Sequence, residues 1–160
     1  MLATMRLASI LLVFAIGCGT NEAGDDDDDG NPGDASAHEY CVQETNRYRT
    51  GGGKPAVQRS TQLETYADTG AMVDHGGTPH DHFRNTQGGG IAFAENECPH
   101  WSLDQTAGDM KMLVAACIKA FFDEGPGGGH YDNMMGNYGT LGCGIFESGA
   151  SVTILQDFGR

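Results

Sequence analysis

The chain has 160 residues and a formal net charge of −13, with only 9 lysines and arginines against 22 acidic residues. This balance excludes the basic surface that nucleic-acid binding requires. The 25 glycines, clustered at 51–53, 88–90 and 127–129, indicate many loops between short elements.

Residues 1–17 have the pattern of a secretory signal peptide. Arg6 precedes an apolar run from Leu7 to Ile16, which is too short to span a membrane. Gly17 followed by Cys18 resembles a bacterial lipobox, in which the cysteine is lipidated and becomes the mature N-terminus. We therefore expect a lipid-anchored protein of the bacterial cell envelope. A simple cleaved signal, which would give a secreted protein, and a retained N-terminal anchor stay open as alternatives.

Residues 18–36 have the composition of an acidic, flexible linker. Small residues, glycines and the aspartates from Asp25 to Asp29 cannot bury enough apolar surface to fold, and like charges extend the chain. We interpret this segment as a tether that holds one folded domain, residues 37–160, away from the membrane. A calcium-binding tail is the alternative, but the run lacks the turn glycines of a calcium loop.

Two helices are predicted in the first half of the domain. The segment from Ala37 to the glycines at 51–53 has helical spacing, with one face formed by Cys41, Thr45 and Tyr48. The segment 61–73 carries an apolar stripe at helical spacing, formed by Leu63, Tyr66, Ala67, Gly70 and Ala71. The small residues in this stripe indicate close packing against a neighbouring element.

A loop, a strand and a long helix follow. Residues 74–90 form a glycine-rich loop that carries His75, His80 and His82. Residues 91–97 alternate as a short strand does, and 98–101 are expected to turn. A capping box at Ser102–Gln105 predicts a helix from Asp104 to Asp123. The buried stripe of that helix is expected to contain Met110, Leu113, Val114, Cys117, Ile118 and Phe121.

Two strands complete the domain. Residues 138–146 and 151–159 have strand composition and are joined by a predicted turn at 147–150. The order helix, helix, strand, helix, strand, strand predicts an α+β fold in which helices pack on an antiparallel sheet.

Four cysteines lie within the domain: Cys41, Cys98, Cys117 and Cys143. An even number of cysteines in an exported domain predicts two disulfides, and three pairings are possible. A four-thiolate zinc site is the weaker interpretation, because the sequence has no C-x-x-C pair.

Several motifs in the domain occur in the order found in one family. They are "NRYR" at 46–49, the spacing from Met72 to His80, "AENE" at 94–97, "FFDE" at 121–124, "GHYDNM" at 129–134, and the strand sequences "LGCGIF" and "LQDFG". Together they resemble the CAP superfamily (SCP or TAPS domains), which includes cysteine-rich secretory proteins, antigen 5 and pathogenesis-related-1 proteins. The resemblance covers nearly all of 37–160 and implies an α–β–α sandwich around a three- or four-stranded antiparallel sheet.

The resemblance also implies a cleft that holds two histidines and two glutamates. Carried over by motif, these residues are His80, Glu95, Glu124 and His130. His75 and His82 lie close to His80 in the sequence and stay open as alternatives for the first histidine.

Two imidazoles and two carboxylates suit zinc, since neutral imidazole is a good ligand and carboxylates orient it. We expect an exported binding module that recognises a lipid, a glycan or a protein through a cleft that holds zinc or another divalent metal. The alternative is a peptidase-like hydrolase in which Glu95 and Glu124 would be catalytic. The sequence lacks the H-E-x-x-H and G-x-S-x-G motifs, which disfavours an enzyme. A third hypothesis is a stable scaffold whose polar cleft has no ligand.

Overall fold

A computed structural model describes residues 36–160 of the chain. The expected signal peptide, the lipidation site Cys18 and nearly all of the acidic linker lie outside these residues. Within the described part, no helix is both long enough and apolar enough to cross a membrane.

The described residues form a mixed α and β domain with five α-helices, two short 3-10 turns and four strands. In chain order these are α1 (Ala37–Gly51), β1 (Gln58–Arg59), α2 (Thr61–His75), α3 (Asp81–Thr86), a turn at Gln87–Gly90, β2 (Ala94–Ser102), a turn at Leu103–Thr106, α4 (Met110–Asp123), α5 (Gly129–Met134), β3 (Thr140–Ser148) and β4 (Ser151–Gly159). The predicted α+β class is therefore confirmed.

The four strands form one sheet in the order β1-β3-β4-β2. β4 is antiparallel to both β2 and β3, as expected from the predicted hairpin. β1 is parallel to β3, so the expectation of a purely antiparallel sheet was wrong. β1 contains only Gln58 and Arg59, and nothing in so short a polar segment indicates a strand or its direction.

Helices cover both faces of the sheet, because alternate residues of β4 point to opposite sides. Val152, Ile154 and Phe158 join the main core with α1 and α4. Leu155 points to the other face, where it forms a small cluster with Ala67 and Ala71 of α2. The layers are thus helix, sheet and helix, and the layer beneath α2 contains few apolar side chains.

Two glycines of β3 let α2 lie directly on the sheet. A Cβ on Gly142 would lie 2.2 Å from the backbone of Leu63 and Glu64, and one on Gly144 would lie 2.2 Å from the backbone of Ala67. No real side chain tolerates such distances, so this close approach depends on glycine.

The long helix expected from Asp104 begins only at Met110. The side chain of Ser102 makes no capping hydrogen bond, and Gly108 has a φ of 88°, which interrupts any helix at this point. Asp109 caps α4 instead, since its carboxylate accepts from the backbone N–H of Met112. Of the predicted stripe, Leu113, Val114, Cys117, Ile118 and Phe121 are buried, whereas Met110 at the start of α4 is only partly buried.

β2 starts and ends later than predicted. The strand was expected over 91–97 with a turn at 98–101, but it runs from Ala94 to Ser102. The register shifts between Cys98 and Trp101, and His100 in this bulge has a φ of 53°. The proline at 99 lacks an N–H, and a bulge is one of the few positions where a strand accepts it.

The four cysteines of the domain form two disulfides, as predicted, and the structure gives the pairing that the sequence left open. Cys41 in α1 is bonded to Cys143 in β3. Cys98 in β2 is bonded to Cys117 in α4. Each bond therefore joins a helix to the sheet.

Candidate functional site

Two histidine–carboxylate pairs face each other at one end of the sheet. The Nδ1 atom of His80 lies 2.8 Å from Oε1 of Glu95, and the Nδ1 atom of His130 lies 2.5 Å from Oε1 of Glu124. The two imidazole rings are stacked, with centroids 6.5 Å apart and planes 29° apart. The structure thus brings together the four residues that the motifs indicated.

His80 is held by two glutamates of β2. Its backbone is left-handed, with a φ of 66°, and this conformation lets its N–H donate to Oε2 of Glu97 at 2.7 Å while its ring contacts Glu95. Glu97 was not among the residues that the motifs indicated. The available signal was the spacing, because residues two apart in a strand lie on the same face of the sheet.

His130 is held by Glu124, which follows directly after α4. The backbone N–H of His130 donates to Oε2 of Glu124 at 3.0 Å, so this carboxylate binds both the ring and the backbone. A Cβ on Gly128 would lie 2.5 Å from Cβ of Glu124, so the glycine permits the close approach. The ring of Phe121 lies against His130, with centroids 4.7 Å apart.

Amide side chains connect the segment of His130 to the strand of Glu95. Asn96 donates to the carbonyl of His130 at 3.0 Å and to Oε1 of Gln156 at 3.0 Å. Asn133 donates to the carbonyl of Glu95 at 3.1 Å and to Oδ1 of Asn96 at 3.0 Å. These bonds fix the distance between the two histidine–carboxylate pairs.

The expected loop over 74–90 was wrong in part, because His75 ends α2 and His82 lies in α3, and these two histidines have different surroundings from His80. Nδ1 of His75 bonds Oγ1 of Thr153 at 2.9 Å, and its ring lies 4.5 Å from that of His100. The ring of His82 packs on Tyr66, with centroids 4.6 Å apart. Of His75, His80 and His82, the one that bonds a glutamate of the site is His80. His80 is therefore the histidine that faces His130.

The carboxylates of the cleft differ in burial and therefore in acidity. Burial raises the pKa of Glu95, and the hydrogen bond to His80 opposes this. Burial also raises the pKa of Glu97, to about 7. Glu124 is exposed, and its hydrogen bond to His130 lowers its pKa. The hydrogen bond to Glu95 raises the pKa of His80.

The carboxylate contacts orient both histidines for a ligand. An ionised carboxylate can only accept, so Nδ1 of each ring donates to its glutamate. In a neutral imidazole the lone pair of Nε2 is then left for a metal or a hydrogen-bond donor, as in carboxylate–histidine–zinc sites. The donor set therefore fits a divalent metal.

Distances limit how such a metal is held. Among residues 36–160, the group of three potential ligands with atoms within 4.8 Å of one another is His80, Glu95 and Glu97. With Zn–N bonds near 2 Å, two imidazoles on one tetrahedral ion have centroids roughly 5 Å apart. Joint ligation by His80 and His130 therefore requires their rings to approach by roughly 1.5 Å from the present 6.5 Å.

Comparison with known proteins gives a family match. Residues 42–158 match the family described as the cysteine-rich secretory protein family, CAP. The matched range includes both histidine–carboxylate pairs and three of the disulfide-bonded cysteines, Cys98, Cys117 and Cys143. Cys41 lies one residue before it. No curated protein matches the chain.

Proposed function

The chain belongs to the cysteine-rich secretory protein (CAP) family, and on that premise we propose that it is an exported binding module. In this proposal the cleft between His80 and His130 holds a divalent metal, with zinc as the first choice. The cleft recognises an extracellular ligand that is a lipid, a glycan or a protein. The observation that carries the proposal is the pair of Nδ1–carboxylate hydrogen bonds, which leave both Nε2 atoms available.

Two disulfides among the described residues support a location outside the cytoplasm, where disulfides form and persist. Anchoring to a membrane through a lipid on Cys18 is part of the proposal. We expect the intact mass of the protein purified from a bacterial envelope to correspond to a chain that begins at an acylated Cys18. A mass that fits an uncleaved chain, or a chain without acyl groups, contradicts the lipid anchor. Such a result does not bear on the proposed metal site.

Zinc affinity is the direct test of the cleft. We expect His130→Ala to weaken zinc binding by at least about tenfold, because it removes a ligand, and Glu124→Gln to weaken it by about 10- to 100-fold, because it releases the ring. The measurement is zinc titration of the purified mature protein, with circular dichroism to confirm folding.

His38→Ala is the matched control. His38 also bonds a carboxylate, with Nε2 at 2.8 Å from Oδ1 of Asp68, but this pair lies outside the cleft. We expect this variant to bind zinc as the wild type does. Unchanged affinity in both His130→Ala and His80→Ala overturns the metal-binding cleft.

Hydrolysis is the alternative function, favoured by one observation. Glu97, buried beside His80, has a pKa of about 7, which suits a group that exchanges protons at neutral pH. The four cysteines of the domain are in disulfides and supply no thiol nucleophile. Turnover of a peptide and ester library that is lost in Glu95→Ala would establish this alternative, whereas absence of turnover favours the binding module.

A further inference from the structure

A second pair of histidines meets on the α2 face of the sheet, apart from the cleft. His75 is the last residue of α2, and His100 lies in the bulge of β2. Their ring centroids are 4.5 Å apart, and the ring planes are inclined by 49°. Each ring bonds a hydroxyl of β4 and not a glutamate of the cleft, so the function proposed above does not account for this pair.

The bulge of β2 brings His100 to the α2 face. Side chains alternate along a regular strand, and Cys98 points to the other face, where it is bonded to α4. His100, two residues later, would point the same way as Cys98 in a regular strand. Cys98 pairs with Ile154, and the next pair is formed by Trp101 and Val152. Thus β2 advances by three residues where β4 advances by two, and the extra residue turns His100 toward α2.

The backbone of His100 is left-handed in this bulge, with a φ of 53°. A residue with a side chain is held in this conformation at a cost of about 1–3 kcal/mol, and such residues cluster at ligand sites. Bulges likewise re-aim side chains next to active sites. The strained conformation therefore has a visible effect, which is to place an exposed imidazole against His75.

Two hydroxyls of β4 orient the rings. Nδ1 of His75 lies 2.9 Å from Oγ1 of Thr153, which also accepts from the backbone N–H of His100 at 3.3 Å. Nδ1 of His100 lies 3.4 Å from Oγ of Ser151. Ser151 and Thr153 are two residues apart and share one face of β4. Each ring thus has Nδ1 toward β4 and Nε2 on its other side, where Nε2 offers a lone pair when Nδ1 carries the proton.

The separation of the rings favours copper(II) over zinc. With metal–nitrogen bonds near 2 Å, imidazoles at the right angle of square-planar coordination have centroids roughly 4.5 Å apart, against roughly 5 Å on a tetrahedral ion. The observed 4.5 Å matches the right angle. Square-planar or tetragonal sites with nitrogen and oxygen ligands are typical of Cu²⁺ and Ni²⁺, and Cu²⁺ binds such ligands more tightly than Ni²⁺ does.

We propose that His75 and His100 bind one Cu²⁺ ion through their Nε2 atoms, at a site separate from the cleft. Among residues 36–160, no histidine, cysteine or carboxylate completes a group of three ligands around this pair, so water fills the remaining positions. Burial, and then the charge of His100, lower the pKa of His75, which favours the neutral ring that metals bind. Phe146 packs edge-on against His75, with centroids 5.1 Å apart, and limits the movement of that ring.

Copper titration of the full-length mature protein, free of any affinity tag and stripped with chelator, tests this site. The His80→Ala/His130→Ala variant is the background, because it lacks both imidazoles of the cleft. We expect it to bind one Cu²⁺ per chain, with an electron paramagnetic resonance spectrum split by two imidazole nitrogens. Further replacement, His75→Ala or His100→Asn, should weaken Cu²⁺ binding by at least about tenfold, since each removes one of two ligands.

The variants are chosen to keep the fold. Asparagine adopts the left-handed backbone more readily than alanine does, so His100→Asn removes the imidazole without disturbing the bulge. Circular dichroism checks each variant. If the background variant does not fold, His75→Ala and His100→Asn are made in the wild type, and the number of Cu²⁺ ions bound per chain should fall by one. His38→Ala removes an imidazole outside both sites and should leave Cu²⁺ binding unchanged.

Two outcomes overturn the site. One is equal Cu²⁺ affinity with and without the His75 and His100 imidazoles. The other is an equal loss of affinity in His38→Ala, which would show that Cu²⁺ binds scattered surface histidines. Neither outcome bears on zinc binding by the cleft, because the two sites share no residue.

Discussion

Removal of the Cys41–Cys143 disulfide is expected to lower the free energy of unfolding by about 4–5 kcal/mol. The two cysteines are 102 residues apart, so the bond closes a loop that spans most of the domain. In the chain-entropy description, a longer closed loop restricts the unfolded chain more and stabilises the native state more. The measurement is guanidinium unfolding of the Cys41→Ala/Cys143→Ala double variant.

The second disulfide is the matched control for this prediction. Cys98 and Cys117 are only 19 residues apart, so their replacement by alanine is expected to cost less, about 3 kcal/mol. All four cysteines are buried, and both double variants lose comparable packing. An equal or larger loss for the short loop would contradict loop length as the dominant contribution.

Replacement of Arg49 by methionine is expected to lower the free energy of unfolding by about 3–4 kcal/mol. Arg49 is 1% exposed, and it pairs with no carboxylate among residues 36–160. Its guanidinium instead donates to backbone carbonyls of three residues at short distance, Pro55 (3.0 Å), Met134 (2.5 Å) and Gly136 (3.1 Å). Methionine fills a similar volume but leaves the buried carbonyl of Met134 and two partly buried carbonyls without this donor, and an unpaired buried acceptor costs roughly 1–3 kcal/mol.

Arg47→Met is the control for Arg49, since it makes the same change in the same helix. Arg47 is exposed and pairs with Glu44, and such surface pairs contribute about 1 kcal/mol or less. Urea unfolding of the two variants should therefore separate them clearly. Similar losses in both would show that the buried carbonyls do not depend on Arg49.

Arg49→Met also has an expected effect on the cleft. Arg49 binds the carbonyl of Met134, the last residue of α5, and that of Gly136, two residues later. His130 lies in α5. We therefore expect this variant to bind zinc more weakly than Arg47→Met does, although neither residue touches the cleft.

Patterns that extend over many residues were predictable from the sequence. The stripe of α4 follows from burial of one helix face, and the strand composition of 138–146 and 151–159 marks β3 and β4, of which β4 is buried on both faces. The start of α4 was not predictable, because Ser102 and Asp109 are both good caps. The left-handed backbone of Gly108 prevents a helix from running through this residue, so α4 begins after Asp109. That conformation depends on packing and is not marked in the sequence.

The cleft was predictable only where a motif marks the residue. Glu95, Glu124 and His130 each lie in a motif of the CAP family, and the structure brings them together with His80. Glu97 ends the same motif as Glu95, but its contact with His80 depends on the left-handed backbone of His80, which no sequence pattern marks.

The order of strands has a consequence for how the domain assembles. β4 lies between β3 and β2, and it is the last of these strands along the chain. During synthesis, β2 therefore has no partner in the sheet until β4 has emerged and docked. Until then Glu95 and Glu97 remain hydrated, and their desolvation waits for the last strand.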